Sequence, residues 1–385
     1  MAQSATSVIR ETNERMALDL LLTQGPISKT RLGELAGVSK VTAGQMLARL
    51  ERRGLVEVVG TQPGGRRGPN AELFALVPSS GYVAALHIGP DVITGSAADI
   101  TGTELARFSV DPHESSDPVA AVRQATAQAA ERAGFSMSQL SCLSIGTPGM
   151  VDSRTGDVRF GFDLPDWHNG VLTDIRQNFG RPVLIENDVN LAGLAERKAA
   201  AAHGVRCFVL AWIDRGLGMA VVIDGKVLRG ADGCSGEIGY LPVPGAPLPS
   251  RSKDPRRTSF QSLVGAEAVR KLAREHRMRG GAGECIRKAI EGHPQGDAFL
   301  DELAHRLALG LAGVYLVLDP ELCVLSGEIG NAGGKELARR VEAAIEEMCP
   351  NRPRVVPSEL SEDAVLLGAL EKGLEVARDE VFAGH

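Results

Sequence analysis

Apolar residues recur at helical spacing through the first fifty positions of the chain. "ERMALDLLLTQG" predicts one helix, and "SKTRLGELAG" predicts a second with Ser28 as its N-cap. A third helix is predicted in "VSKVTAGQMLARLERRG", with Ser39 as N-cap and Gly54 at its C-terminal end. Only Gly37 and Val38 separate the last two helices. So short a turn containing glycine is typical of a helix-turn-helix.

After the third helix the pattern changes from helical spacing to alternation. "LVEVVG" and "AELFALV" predict two strands of a wing, joined by "TQPGGRRGPN". The apolar side chains of the helices are expected to form a small core. Its predicted members are Leu32, Leu35, Ala36, Val38, Met46, Leu47 and Leu50.

From residue 81 onward, predicted strands and helices alternate. "YVAALHIG", "VITGSAADI" and "ELARFSV" predict three strands, and "LSCLSIGTPGMVD" predicts a buried strand that runs into a Gly-Pro turn. "RCFVLAWIDRGLGMAVVIDGKVLRG" then repeats the opening hairpin pattern. Two halves that begin alike predict an α/β body made of two ribonuclease-H-like halves. Small ligands bind preferentially in the cleft between such domains.

This pattern divides the chain into three units. Residues 1–80 form a winged helix-turn-helix domain and its linker. The first α/β half comprises residues 81–195 and is completed by a C-terminal helix at 362–385. The second half comprises residues 196–361.

Composition and charge narrow the class of protein. No apolar run approaches the length of about 18 residues that a membrane span needs, so none is expected. The six cysteines form no CxxC pair, which indicates reduced thiols and a cytoplasmic protein. Residues 1–80 carry ten Lys or Arg and seven Asp or Glu, whereas the whole chain has a net charge of −6. A basic head on an acidic body favours nucleic-acid binding through the head alone.

The third helix is the candidate DNA reader. The small residues of "TAG" would let its leading end enter a major groove, with Ser39 and Lys40, Thr42 and Gln45 projecting toward the bases. Arg49, followed by Arg52 and Arg53, is expected to meet phosphates. In the wing tip, Arg66 or Arg67 is a candidate to enter a narrow minor groove, and a solvated loop is the alternative for this segment. A three-helix interaction module without DNA remains the alternative.

The chain as a whole resembles transcriptional regulators of the ROK family (repressors, open reading frames, sugar kinases). The resemblance rests on "GGRRGPNAELFAL", "GTPGMVD", "ENDVNLAGLAE" and "DGKVLRGADGCSGEIG", in that order, and covers nearly all of the chain. It implies a sugar-kinase body joined to a DNA-binding head.

The phosphate-binding residues of the family's kinases are largely absent. Where a kinase has D-I-G-G-T-K, this chain has "HIGPDV" at 87–92. His87 replaces a carboxylate, Pro90 lacks an N–H donor, and Asp91 would repel phosphate. Arg215 stands where the second phosphate loop has Thr, and an arginine there can attract phosphate. We weigh the losses in the first hairpin more heavily and predict that the chain is not an enzyme.

The resemblance also implies an effector site for a sugar. Asp188 matches the general base of the kinases and is interpreted here as a sugar ligand, although an N-cap role is the alternative. The other implied ligands are Gly149 through its backbone, Asp163, Asn187, Glu237, Tyr240 and Gln261. Tyr240 replaces the family's His, and Gln261 replaces its final Glu.

The family's structural zinc is not expected. Its cysteines follow the pattern CxCGxxGCxE, but the matching segment "SRSKDPRRTSFQ" has no Cys and no His. Such residues cannot supply a tetrahedral zinc site. We therefore predict neither a metal nor a cofactor.

Together these features predict a sugar-responsive repressor of carbohydrate-metabolism genes. Its expected partners are a (pseudo)palindromic double-stranded DNA operator, a small sugar effector and further copies of itself, as a homodimer or homotetramer. Two alternatives stay open: an active sugar kinase with a regulatory head, and a DNA-binding regulator without a small ligand.

Overall fold

The computed structural model describes most of the chain. The described residues are 5–63, 70–89, 91–111, 117–152, 158–159, 171–249, 257–360 and 363–383.

Three helices form the head, as predicted. They are α1 (Ala5–Gln24), α2 (Lys29–Ala36) and α3 (Lys40–Arg52). The side-chain oxygens of Ser28 and Ser39 each accept a hydrogen bond from a first-turn backbone amide, which confirms both N-caps. The short turn at Gly37 and Val38 brings α2 and α3 into contact as a helix-turn-helix.

The wing is a three-stranded antiparallel sheet. Strands β2 (Val56–Gln62) and β3 (Ala71–Leu76) were predicted, and β1 (Ile27–Ser28) pairs with β3 on its other side. A two-residue strand leaves no alternation in the sequence, so pattern reasoning had no means of finding it. The wing tip, including Arg66 and Arg67, lies outside the described residues.

One member of the predicted head core is wrong. Leu32, Met46, Leu47 and Leu50 are buried, but Leu35 is exposed. Gly33 faces α3, since a Cβ added there would lie 3.7 Å from the Ala43 Cβ. Leu35 lies about 160° around α2 from Gly33, because each helical residue turns by about 100°. Helical spacing alone did not show which side of so short a helix is covered.

Among its described residues, the first half of the body contains seven strands and three α-helices. They are β4 (Tyr82–Ile88), β5 (Ile93–Asp99), β6 (Glu104–Val110), α4 (Pro118–Ala133), β7 (Leu140–Thr147), β8 (Met150–Val151), β9 (Val158–Arg159), α5 (Val171–Asn178), β10 (Val183–Asn187) and α6 (Asp188–Ala199). The main sheet has the order β10-β7-β4-β5-β6. The hairpin strands β4, β5 and β6 are antiparallel, whereas β7 and β10 run parallel to β4.

The second half repeats this sheet. Its elements are β11 (Cys207–Ile213), β12 (Leu217–Ile223), β13 (Lys226–Val227), α7 (Gln261–Val264), α8 (Ala266–Glu275), α9 (Ala282–Ile290), α10 (Gly296–Leu318), β14 (Leu322–Ser326), α11 (Gly327–Glu346) and β15 (Val355–Pro357). The order β13-β12-β11-β14-β15 reproduces the first sheet, with antiparallel hairpin strands and two parallel strands. The predicted duplicated ribonuclease-H-like body is confirmed.

The last helix, α12 (Ala364–Ala383), packs against β4, β7 and α6 of the first half. One buried apolar cluster runs without a break from the head helices through α12 and α6 to both sheets. The head is therefore packed onto the body. None of the helices in the described ranges is long and apolar enough to cross a membrane.

Candidate functional site

Glu186, Asn187 and Asp188, which we call the END motif, lie where β10 passes directly into α6. Asn187 is the N-cap, because its Oδ1 accepts a hydrogen bond from the Asn190 backbone N–H at 3.0 Å. Its Nδ2 donates to the Gly149 carbonyl, also at 3.0 Å. The capping amide thus joins the helix start to the turn after β7. The structure brings together two of the residues that the sequence assigned to effector binding.

Asp188 is the first residue of α6 and not its N-cap. Its Oδ1 accepts a hydrogen bond from the Val189 backbone N–H at 2.8 Å. Burial raises the pKa of Asp188 to about 6, and the nearby charge of Asp214 acts in the same direction, against the backbone hydrogen bonds. A carboxylate held this way favours a ligand that donates hydrogen bonds to it.

Glu237 reaches the same site from the second half. The backbone before it lies against β12, because the Met219 N–H donates to the Gly236 carbonyl at 2.8 Å. Burial raises the pKa of Glu237 to about 7, and the Asp188 charge adds to the shift. Carboxylates from the two halves therefore lie close enough for the charge of Asp188 to raise the pKa of Glu237.

An ion pair between the buried Glu186 and the partly exposed Arg229 fixes the two loops of the site to each other. Glu186 Oε2 accepts hydrogen bonds from Arg229 Nε at 2.7 Å and Nη2 at 2.5 Å. The other oxygen, Oε1, accepts from the Asn187 backbone N–H at 3.1 Å and from Asn190 Nδ2 at 3.0 Å. Arg229 precedes the segment that carries Glu237, so this pair orients both loops. Glu186 and Arg229 were not singled out from the sequence, and adjacency to END is the only signal that points to them.

The two positions that depart from the family pattern behave differently. Tyr240 lies half-buried in a short 3₁₀ turn beside the cleft. Gln261 uses its side-chain amide on a neighbouring loop: its Nε2 donates to the Arg215 carbonyl at 3.2 Å, and its Oε1 accepts from the Leu217 N–H at 3.4 Å. The Gln261 side chain therefore supports the loop that corresponds to the second phosphate loop.

That loop has little capacity left to cradle a phosphate. The Asp214 N–H donates to the Gly216 carbonyl at 3.0 Å, and the Arg215 N–H donates to Asp214 Oδ1 at 2.6 Å. The Arg215 guanidinium, which could have attracted phosphate, lies 2.6 Å from Asp91 Oδ2 of the first hairpin. The basic group and the acidic group that replaced kinase residues are paired with each other.

The first hairpin is likewise closed on itself. The Gly89 N–H donates to the Val92 carbonyl at 3.0 Å. Burial lowers the pKa of His87 to about 4, so the imidazole is neutral where a kinase has a carboxylate. The Gly89 N–H is already bonded within the hairpin and cannot also donate to a phosphate. The neutral His87 imidazole does not supply the negative charge with which a carboxylate helps to hold magnesium. Pro90 lies outside the described residues.

Within the described ranges, no three His, Cys, Asp or Glu side chains are grouped as metal ligands. Asp163 lies outside the described residues, as does most of the segment that matches the family's zinc motif.

In the head, Val41, Gln45, Ala48 and Arg52 form an exposed stripe along α3. Their spacing places them on one face of the helix. Val41 is 71% exposed, and an apolar side chain there can contact a thymine methyl group. Sequence reasoning missed Val41, although its spacing of four residues from Gln45 was visible.

The other assigned residues at this end of α3 have defined positions. Lys40 is exposed beside the stripe. Ser39 Oγ lies 2.9 Å from Thr42 Oγ1, so these two hydroxyls are paired at the helix N-terminus. Arg49, assigned to phosphates, lies with its Nε 2.5 Å from Glu14 Oε1 inside the head.

Comparisons with known proteins agree with this division of the chain. Residues 83–372 match the ROK family, and residues 11–68 match the MarR family. The chain is 31% identical over 247 residues to the glucokinase of Thermotoga maritima, a match that covers 59% of this chain and 77% of the glucokinase. It is 23% identical over 371 residues to the xylose repressor of Bacillus subtilis, covering 94% of each protein.

The fold has a solved counterpart over its whole length. The crystal structure of a ROK family transcriptional regulator, described as a homologue of the E. coli MLC protein, superposes with a TM-score of 0.77. The superposition covers 98% of this chain and 97% of that one at 21% identity. At this identity the likeness shows the fold, including the placement of a head on a two-half body.

Proposed function

We propose that this chain, which belongs to the ROK family, is a sugar-responsive transcriptional repressor that binds DNA through its winged helix. The observation that carries the proposal is the combination of an exposed reading face on α3 with a body whose phosphate loops are closed. A MarR-type head and a full-length match to a xylose repressor support the same function. Because its partner is DNA, we place the protein in the cytoplasm.

The proposal includes the absence of kinase activity. A phosphoryl-transfer site relies on positioned donors around the phosphates and on a metal ion. Here the amides of Gly89, Asp214 and Arg215 donate within the chain, and the Arg215 side chain is neutralised by Asp91. Asp188 keeps the position of the base, and in our proposal it accepts a hydrogen bond from a sugar hydroxyl.

The effector site is the cleft between Asp188 and Glu237. Neutral sugars present hydroxyl donors, and desolvated carboxylates bind such donors strongly. Two arginines on the loops of this site, Arg215 and Arg229, are both engaged with carboxylates. A phosphorylated or acidic sugar would meet the two carboxylates, while both of these arginines already have carboxylate partners. We therefore propose an uncharged sugar.

Operator binding requires at least two heads. One winged helix reads only a half-site, so we propose a homodimer or homotetramer on a (pseudo)palindromic operator. Effector binding would close the cleft and change the spacing between heads. An effector achieves this only if it binds one arrangement more tightly than the other.

Genome-wide mapping of cross-linked binding sites tests the DNA-binding part. We expect a small set of palindromic sites next to genes for sugar uptake and breakdown. Binding spread evenly over the genome, or none, would contradict the proposal. The kinase alternative is tested separately by ADP release with magnesium, ATP and a panel of sugars, and turnover of any sugar would overturn the interpretation of the closed phosphate loops.

A further inference from the structure

Arg53 joins the end of the reading helix to the end of the last helix of the chain. It follows α3 directly, and its Nη2 donates to the carbonyls of Phe382 at 2.8 Å and Val381 at 3.3 Å. The last carbonyls of a helix have no partner within the helix, and the helix dipole makes that end attract a cation. Arg53 thus caps α12 from the head.

A buried carboxylate ties the same arginine back into the head. Glu14 is 7% exposed. Its Oε2 lies 3.2 Å from Arg53 Nη1, and its Oε1 lies 2.5 Å from Arg49 Nε. Arg49 is in the last turn of α3 and Glu14 is in α1, so one carboxylate connects both helices with the cap on α12. A buried charge with two cationic partners resists displacement because breaking either contact leaves charge uncompensated.

A second contact joins α1 to α12 independently. Arg15 Nη1 lies 2.7 Å from Asp379 Oδ1, and the guanidinium lies 5.2 Å from the centre of the Phe382 ring. The head is therefore held to the last turns of α12 at two points. A linker alone would not fix its orientation in this way.

The other end of α12 reaches the effector cleft. At Gly368 the helix touches the backbone of α6: a Cβ added there would lie 1.9 Å from the Leu191 carbonyl oxygen. Leu191 is less than one helical turn beyond Asp188. Further along, Lys198 Nζ lies 2.7 Å from Glu371 Oε1. Because backbone meets backbone at Gly368, no side chain lies between the helices at that point to absorb a shift. From Gly368 to Phe382 the helix spans about 21 Å.

We propose that α6 and α12 hold the head and the first half of the body as one rigid unit, with Arg53 as the joint that carries cleft movements to α3. This inference rests on the proposed function, since it describes how that site is coupled to DNA. When the cleft closes, the reading helix α3 then moves together with the first half of the body.

Hydrogen exchange of the free 385-residue chain tests the joint without DNA or effector. Arg53→Gln should raise exchange in α1, α3 and the last turns of α12 by at least about fivefold, because docking is lost and local opening becomes easier. Arg52→Gln is the matched control. It removes the same charge one residue earlier, from a side chain that donates only to the Ala48 carbonyl within α3. Equal exchange in the two variants would overturn the proposal.

A double-mutant cycle then tests transmission. The duplex probe is selected from a random pool with the wild-type chain, and Gly368→Ala serves to push α12 away from α6. We expect Gly368→Ala to change affinity for that duplex by at least about fivefold in the wild-type background. In the Arg53→Gln background the change should fall within about twofold, as for uncoupled sites.

The outcomes separate the two proposals. The same change in affinity in both backgrounds contradicts the joint while leaving DNA binding intact. Failure to select any duplex contradicts the proposed function. In that case the hydrogen-exchange comparison still tests the proposed role of Arg53. If Gly368→Ala does not fold, the exchange comparison of Arg53→Gln with Arg52→Gln remains decisive.

Discussion

Glu237→Gln should make the free protein more stable at alkaline pH while removing an effector ligand. Burial beside Asp188 raises the pKa of Glu237 from 4.5 to about 7, so the folded state holds a proton that the unfolded state has released. Stability therefore falls as the pH rises from about 4.5 to about 7, and the loss is complete above that window. The gap between the two values corresponds to about 3 kcal/mol. Glutamine resembles the protonated acid and escapes this loss.

The assay is urea unfolding of the ligand-free chain, followed by circular dichroism at about pH 5 and about pH 8. We expect Glu237→Gln to exceed the wild type by up to about 3 kcal/mol at the higher pH, and by much less at the lower. Glu347→Gln, at the exposed end of α11, is the control and should leave the pH dependence unchanged. If the wild type and Glu237→Gln show the same pH dependence, the carboxyl does not titrate in a desolvated cleft and the argument fails.

Three further predictions concern the head, the loop and the cleft. Gln45→Ala should weaken binding to the selected duplex by about 1–3 kcal/mol and relax base preference at one position, as measured by anisotropy against single-base variants; equal losses on every sequence would mean that Gln45 reads no base. Gly236→Ala should destabilise the fold by more than about 2 kcal/mol, because the residue has φ +90° and an added Cβ would lie 1.8 Å from the Met219 carbonyl oxygen; a melting temperature equal to that of the wild type would contradict this. Binding of an uncharged sugar should weaken as the pH falls from about 8 to about 5, because Asp188 and Glu237 become protonated and accept hydrogen bonds less well. If calorimetry finds tighter binding in acid, Asp188 and Glu237 are not the sugar ligands.

The fold was largely predictable because its signals are local. The caps at Ser28 and Ser39 are set by a few neighbouring residues, and each repeated hairpin lies within one short stretch, Tyr82–Asp99 and Cys207–Ile223. The order of the motifs added the topology. β1 and the exposure of Leu35 were missed because each depends on which neighbour covers a short element.

The site was predictable only in part, since its decisive contacts join distant residues. The sequence places Arg215 and Asp91 at phosphate positions, but their mutual pairing spans 124 residues. Arg49 was predicted to contact DNA phosphates because of its position along α3. Its side chain instead points toward Glu14 in α1, a contact between two helices that the sequence does not reveal. The joint between Arg53 and Phe382 spans 329 residues and follows from no motif.

The central claim is that the cleft binds a sugar and that binding changes affinity for DNA without phosphoryl transfer. Its most direct test is an anisotropy titration of the selected duplex with each sugar of a panel that includes xylose and glucose, with magnesium and ATP present and ADP monitored. We predict that one uncharged sugar shifts duplex affinity by about 5- to 150-fold in the wild type, that Asp188→Ala binds the duplex but does not respond, and that no ADP forms. ADP release in step with the sugar, or the same response from Asp188→Ala, would contradict the account.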